Sequence, residues 1–309
     1  FTKIAITLSV TILASAAIST LAVGVVLIPQ YVEMDRQAAL TNADRVYEAL
    51  KGELDAAASH AGDWAHWDET FDFAGKLDRG VDKGFVGRNL KEDDLKTINV
   101  DEFVVAGFDR AVRFERRANP AKDAPPVPFA AAKRLPETTW HEFADKLASD
   151  AFAGYAMTPA GPAIVAAATI TTSNGEGPAP GVLILVRRAD DAFLKAVREK
   201  TRLDFTITPA AKAAPRMGET VALEGETAVP VTMVKGDGKI ETDLVLKDLS
   251  GAESFVVRVT TPTRFTQVSA AAFWSILGII FASGVTVVVV LSAFMRRVVT
   301  GPIEAIVGH

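Results

Sequence analysis

The stretch Asp63-Trp64-Ala65-His66-Trp67-Asp68-Glu69-Thr70-Phe71-Asp72-Phe73 gathers the residue types that bind or react. Two tryptophans three apart, with an aspartate four after the first, set a flat apolar surface beside a carboxylate on one helical face. That pairing suits recognition of a ligand, and Trp64, Trp67, Asp68 and Thr70 are the candidate ligand-binding residues. His60, Asp63 and His66 are of metal-ligating type, but steps of three and six turn through about 300° and 600° on a helix and so diverge. No metal site is expected there. The chain has no cysteine, which excludes cysteine-type zinc sites, iron–sulfur clusters and a thiol nucleophile. It also lacks a Gly-x-Ser-x-Gly elbow, a phosphate-binding glycine loop and a His-Glu-x-x-His pair, so no catalytic residue and no cofactor is expected. Arg113, Arg116 and Arg117 would make an anion site if clustered, but along an edge strand such residues more often blunt that edge. Arg187-Arg188 and Asp190-Asp191 are placed to cap the helix that follows them, with a ligand role as the lesser alternative.

The elements that must position these residues begin with a helix. Apolar or small residues recur at Leu40, Ala43, Tyr47, Leu50, Leu54, Ala57, Ala61 and Trp64, in alternating steps of three and four that form a lengthwise seam. Two roles for the seam stand open: packing on its own domain, or a parallel homodimer interface. After the tryptophan segment the chain reads as strands with turn signals. Strands are expected at 101–108, 112–116, 155–158, 163–172, 181–187, 203–208, 229–235, 239–247 and 254–261, with helices at 137–152 and 190–200. The stretch 119–136 holds five prolines and reads as an irregular surface excursion. Gly236-Asp237-Gly238 and Asp248-Leu249-Ser250-Gly251 are hairpin signals. The fold class is α+β, a long N-terminal helix followed by antiparallel sheet.

The segment Asp63 to Phe73 resembles the hallmark of the CHASE family, type four, in which an aspartate-tryptophan pair is followed by tryptophan-aspartate, an acidic or hydroxyl residue and an aromatic. Phe85-Val86-Gly87-Arg88-Asn89-Leu90 resembles that family's aromatic-to-asparagine-leucine turn, and the strand at Phe103 to Phe108 also fits. Asp109-Arg110-Ala111 departs from it, because the family often carries glycine at that turn. The resemblance loosely covers 37–267 and implies a PAS-like or Cache-like sheet with an extracellular sensing role, associated with cyclases and histidine kinases.

Composition sets the surroundings. Of 309 residues, 49% are apolar, and the excess lies in two uncharged runs, 4–28 and 270–295. Each is about 25 residues, roughly 37 Å as a helix against about 30 Å of hydrocarbon. Both read as transmembrane helices, the first as an uncleaved anchor because apolar residues continue well beyond the small-residue site Ala14-Ser15-Ala16. Lys3 before the first run and Arg296-Arg297 after the second place both ends in the cytoplasm, making a two-pass inner-membrane protein with 30–269 in the periplasm. That exterior segment keeps 30 basic and 37 acidic residues, a poor match for nucleic acid. The ending 296–309 is cationic, then resumes helical apolar spacing after Pro302, and resembles the start of a HAMP linker. A chain opening at Phe1 and closing shortly after a span reads as part of something longer. The expectation is the sensor portion of a transmembrane receptor for a small-molecule or periplasmic protein signal, itself not an enzyme. The resemblance implies a missing diguanylate cyclase output, with or without a phosphodiesterase, then a histidine kinase; a chemotaxis receptor shares the layout. A membrane-anchored structural or adhesive protein is the rival of another class.

Overall fold

The computed structural model describes residues 23–118, 151–158, 161–214, 216–223 and 229–295, with isolated positions before 23 and Arg297. The first helix, α1 (Ile28–Ala65), is followed by three short ones, α2 (Asp68–Lys76), α3 (Lys83–Asn89) and α4 (Glu92–Thr97). Then come β1 (Glu102–Ala106), β2 (Val112–Arg117), β3 (Phe152–Thr158), β4 (Gly161–Thr169) and β5 (Val182–Arg188). A connecting helix, α5 (Asp191–Thr201), leads to β6 (Asp204–Pro209), β7 (Glu219–Leu223), β8 (Val229–Gly236), β9 (Lys239–Lys247) and β10 (Glu253–Pro262), and the chain enters α6 (Arg264–Met295). The strands make two five-stranded sheets, ordered β2-β1-β5-β4-β3 and β6-β10-β9-β8-β7. The α+β class therefore holds, with two sheets behind one long helix.

The larger compact unit is Leu40–Lys235 with Glu241–Thr260. In its first sheet, β5 is central and Val182 through Val186 are all buried, as an apolar run covered on both faces must be. Leu183 and Leu185 face Ala61 and Ala65 of α1 and the short helices, while Val182, Ile184 and Val186 share the other face with Val104, Val165 and Leu249. In its second sheet, Val231, Leu244, Phe255, Val257 and Val259 pack with Ala43, Val46 and Leu50 of α1. The seam of α1 is thus spent on its own domain: Ala43 and Leu50 are no more than 1% exposed, and Leu40, Tyr47, Leu54 and Ala57 pack against the same core. Fully burying a side chain such as Leu50 stabilises by about 1.5–3 kcal/mol, so of the two roles open to the seam, packing on its own domain is the one this structure displays. The side of α1 turned to solvent carries Gln37, Thr41, Arg45, Glu48, Asp55 and Ser59 instead.

The smaller unit falls within Phe1–Ala39, Gly236–Ile240 and Thr261–His309. In α6, Phe273–Phe294 has a mean hydropathy of 2.5 over its most apolar window, and among the described residues it is the helix long and apolar enough to cross a membrane. Most of the expected first span, 4–28, lies outside the described residues, as do 119–150 with their expected excursion and helix, and, apart from Arg297, the expected HAMP start at 296–309. Thr263 N–H donates to the Gly238 carbonyl at 3.0 Å, and Gln267 Nε2 donates to the same oxygen at 3.2 Å. Gly238 holds this position at a φ of 72°, a conformation that favours glycine.

Candidate ligand-sensing site

The tryptophan segment sits at a break in the helix rather than on one helical face. The chain stays helical to Ala65, where His66 N–H still donates to the Gly62 carbonyl at 2.9 Å. Trp67 then takes an extended conformation (φ −96°, ψ 129°) and becomes the residue before α2, its carbonyl accepting from Thr70 and Phe71 N–H at 2.9 Å each. Trp64 and Asp68 consequently belong to different helices, a correction to the single face expected from spacing. Asp68 and Glu69 fall in the first turn of α2, where negative charge meets the positive end of the helix dipole.

Each of the four candidates is committed differently. Trp64 meets Trp67 edge-on at 5.9 Å and Phe103 at 5.6 Å between ring centroids. Trp67, 37% exposed, lies 6.3 Å from Phe85. Behind them Phe85 stacks on Phe73 at 4.3 Å, and Phe73 meets Phe114 edge-on at 4.9 Å, so the tryptophans form the outer layer of an aromatic core. Thr70 is fully buried, and its hydroxyl has no hydrogen-bond partner. Asp68 is exposed, and its carboxylate accepts from Ser173 N–H at 2.8 Å. That backbone donor holds the Asp68 carboxyl below the usual carboxylate range. Thr171 N–H donates to the Ala65 carbonyl at 3.1 Å, so the β4–β5 loop is tied on both sides of the break.

The second motif, Phe85 to Leu90, comes back onto the first. It is helical over α3 rather than a turn, capped by Asp82, whose carboxylate accepts from Gly84 and Phe85 N–H at 2.8 and 3.2 Å. Glu69 accepts from Arg88 at 3.2 Å and Asn89 at 3.1 Å, and the Leu90 carbonyl accepts from Arg116 Nε at 3.2 Å. Arg113 reaches Asp78 at 3.1 Å and Arg117 reaches Glu115 at 2.7 Å. The three arginines lie on edge strand β2, where charged side chains discourage edge-to-edge pairing. The spacing of the two motifs carried no signal of the Glu69 contact, since Glu69 and Arg88 are 19 positions apart.

The pattern of the CHASE4 domain matches residues 49–208, more than half of the chain, and takes in both motifs. The chain belongs to the CHASE4 domain family. A curated relative, the methanogenesis regulatory histidine kinase FilI of Methanothrix harundinacea, is 25% identical over 217 residues, covering 69% of this chain and 23% of that protein. The chain therefore spans about a quarter of that relative's length. Among solved structures, the sensor domain of the Vibrio cholerae histidine kinase DctB is 12% identical with a TM-score of 0.45, covering 75% of this chain and 98% of that one. The periplasmic domain of Vibrio cholerae LuxQ is 10% identical with a TM-score of 0.44, covering 72% and 99%.

The CHASE4 match ends within β6, so the rest of the second sheet, β7 to β10, and α6 lie beyond it. Among the described residues no group of three or more metal-ligating side chains converges. Two adjoining cavities open in the larger unit, one of about 70 Å³ between α1 and β4–β5, the other of about 260 Å³ at the end of β5. Asn99, Val100 and Arg187 line both.

Proposed function

We propose that this chain is the sensor portion of a transmembrane receptor, with its CHASE4 domain in the periplasm and its output beyond His309. The observation that carries the reading is the join between sheet and span: β10 ends at Pro262 and α6 begins at Arg264. One residue, Thr263, separates a core strand from a helix apolar enough to cross a membrane. A strand that shifts when a signal binds can therefore displace α6 directly, and closely packed elements switch between discrete arrangements. Within this reading Trp67 and Asp68, exposed at the helix break, are the positions open to a ligand. Trp64 and Thr70 support them from beneath.

The output favoured is a histidine kinase, since the curated relative is one. A diguanylate cyclase, placed first by the family resemblance, becomes the second reading. Reading the gene onward from the His309 codon separates them: a phosphoacceptor-histidine helix supports the kinase, and a Gly-Gly-Asp-Glu-Phe signature supports the cyclase. The two-pass layout, with 4–28 and 270–295 as its spans, is tested by alkaline phosphatase fusions. Fusion at 160 should be active and fusion after 309 inactive; the reverse pattern would overturn the receptor reading.

A further inference from the structure

The larger cavity lies at the end of β5, away from the tryptophan segment, and its polar lining is Lys96, Asn99, Asp101, Arg187, Arg188 and Asp190. At about 260 Å³ it is large enough for a small organic molecule. Its two guanidiniums are half-buried and underused. Arg187 gives one N–H to Glu53 at 2.6 Å and stands 4.8 Å over the Phe193 ring. Arg188 gives one side-chain N–H to Asp101 at 3.2 Å, while its backbone N–H takes the other oxygen of that carboxylate at 2.7 Å. A guanidinium carries five N–H donors, so most donors of both arginines stay uncommitted beside open space. Lys96, paired with Glu92 at 2.8 Å, adds a third cation at the rim. Asp190 is spent on the Phe193 N–H as the cap of α5.

We infer that this cavity is a binding site for a small organic carboxylate, held by the Arg187 and Arg188 guanidiniums with Lys96 at its mouth. Planar guanidinium forks match planar carboxylates in two-point contacts. Asp101 and Asp190 in the lining leave only a small positive excess, which favours a carboxylate over the denser charge of phosphate. The inference goes beyond the sensor reading by adding a ligand site separate from Trp67 and Asp68, and it supplies a route to α1. Glu53, the partner of Arg187, lies on α1 and also pairs with Lys200 at 3.6 Å. A carboxylate that engages Arg187 competes with Glu53 and loosens that tie between helix and sheet.

Calorimetry on the full chain in detergent micelles tests the site without any signalling output, so its result is independent of the receptor reading. The probes are propionate and succinate, with propionamide as the neutral control and inorganic phosphate as the rival anion. Binding by at least one carboxylate and none by propionamide is expected, with affinity lowered about tenfold by Arg188→Gln, or about 1.4 kcal/mol. Lys96→Gln, on an exposed rim, should lower it by a smaller factor and serves if Arg188→Gln fails to fold. Glu53→Gln should raise affinity severalfold by removing the competing carboxylate. No carboxylate binding at ~10 mM, weaker than any useful affinity, overturns the site. Phosphate binding more tightly than either carboxylate, or an affinity unchanged by Lys96→Gln and Glu53→Gln, overturns it equally.

Discussion

The Asp35 carboxylate of α1 caps the start of α6: Oδ2 accepts from Thr266 N–H at 2.8 Å and from the Thr266 hydroxyl at 2.5 Å, while Oδ1 accepts from Phe265 N–H at 3.0 Å. The first N–H groups of a helix have no partner within it. Here a residue 231 positions away supplies one, and the carboxylate charge faces the positive end of the helix dipole. Asp35 is 2% exposed, which is tolerable for a carboxylate only because both oxygens are bonded.

Asp35→Asn should therefore weaken this clasp without disturbing the sensor core. One oxygen becomes an NH₂ group that faces donors, so at least one bond is lost, at about 1–3 kcal/mol. The check is proteolysis or hydrogen exchange around 263–267 in the full chain. Faster exchange confined to that stretch is expected, and unchanged protection would mean that the cap contributes nothing.

A second prediction concerns acid. Asp68 has a folded pKa below its ordinary value because Ser173 N–H stabilises the carboxylate. Its contribution is complete above the unfolded value of about 3.9 and disappears as pH falls through the lower folded value. Asp68→Asn should loosen the β4–β5 loop at pH 7 and make progressively less difference below about pH 4. Thermal melts of the two proteins at both pH values would show convergence on the acid side. In the ligand-contact role, the same variant would leave the melt at pH 7 nearly unchanged and abolish the response.

If two copies of this chain pair along α1, the contact lies on a surface other than the seam. The α1 seam is buried in its own core, so any pairing along α1 has to use the stripe containing Thr41, Arg45 and Glu48. Because the chain lacks cysteine, a single cysteine at Thr41 or Glu48 gives a clean crosslinking test in membranes. Crosslinking there and not at Leu50 is expected of a dimer; the reverse would require the core to open.

Much of this architecture was legible in the sequence because it is periodic. Strand β9 falls on 239–247 as expected, and the other anticipated strands within the described residues lie within a few residues of their positions. The short helices α3 and α4, of seven and six residues, escaped because so few positions carry no periodic signal. Asp82 before α3 and the acids Glu92, Asp93 and Asp94 opening α4 were their available marks. Edge strand β7 escaped because most of it is exposed and lacks alternation. The break at Trp67 was hidden because Ala65-His66-Trp67 contains neither glycine nor proline. The residues of the candidate site were legible, but their division between two helices was not. Nor were Glu69 with Arg88 or Asp35 with Thr266 visible, since such contacts arise from tertiary packing and leave no local pattern.

In the receptor reading, signal passes from the sensor into the membrane through the start of α6, where Asp35 of α1 caps it. A receptor extended to its natural output, with any cysteine of the added part replaced, and carrying Asp35→Cys with Thr266→Cys tests this, because the 309 residues themselves contain no other cysteine. Output activity, autophosphorylation for a kinase, is measured with the pair oxidised and then reduced. The bridge is expected to fix output at one level, and reduction to restore its range. An oxidised receptor whose output spans the same range as the reduced one would contradict this route.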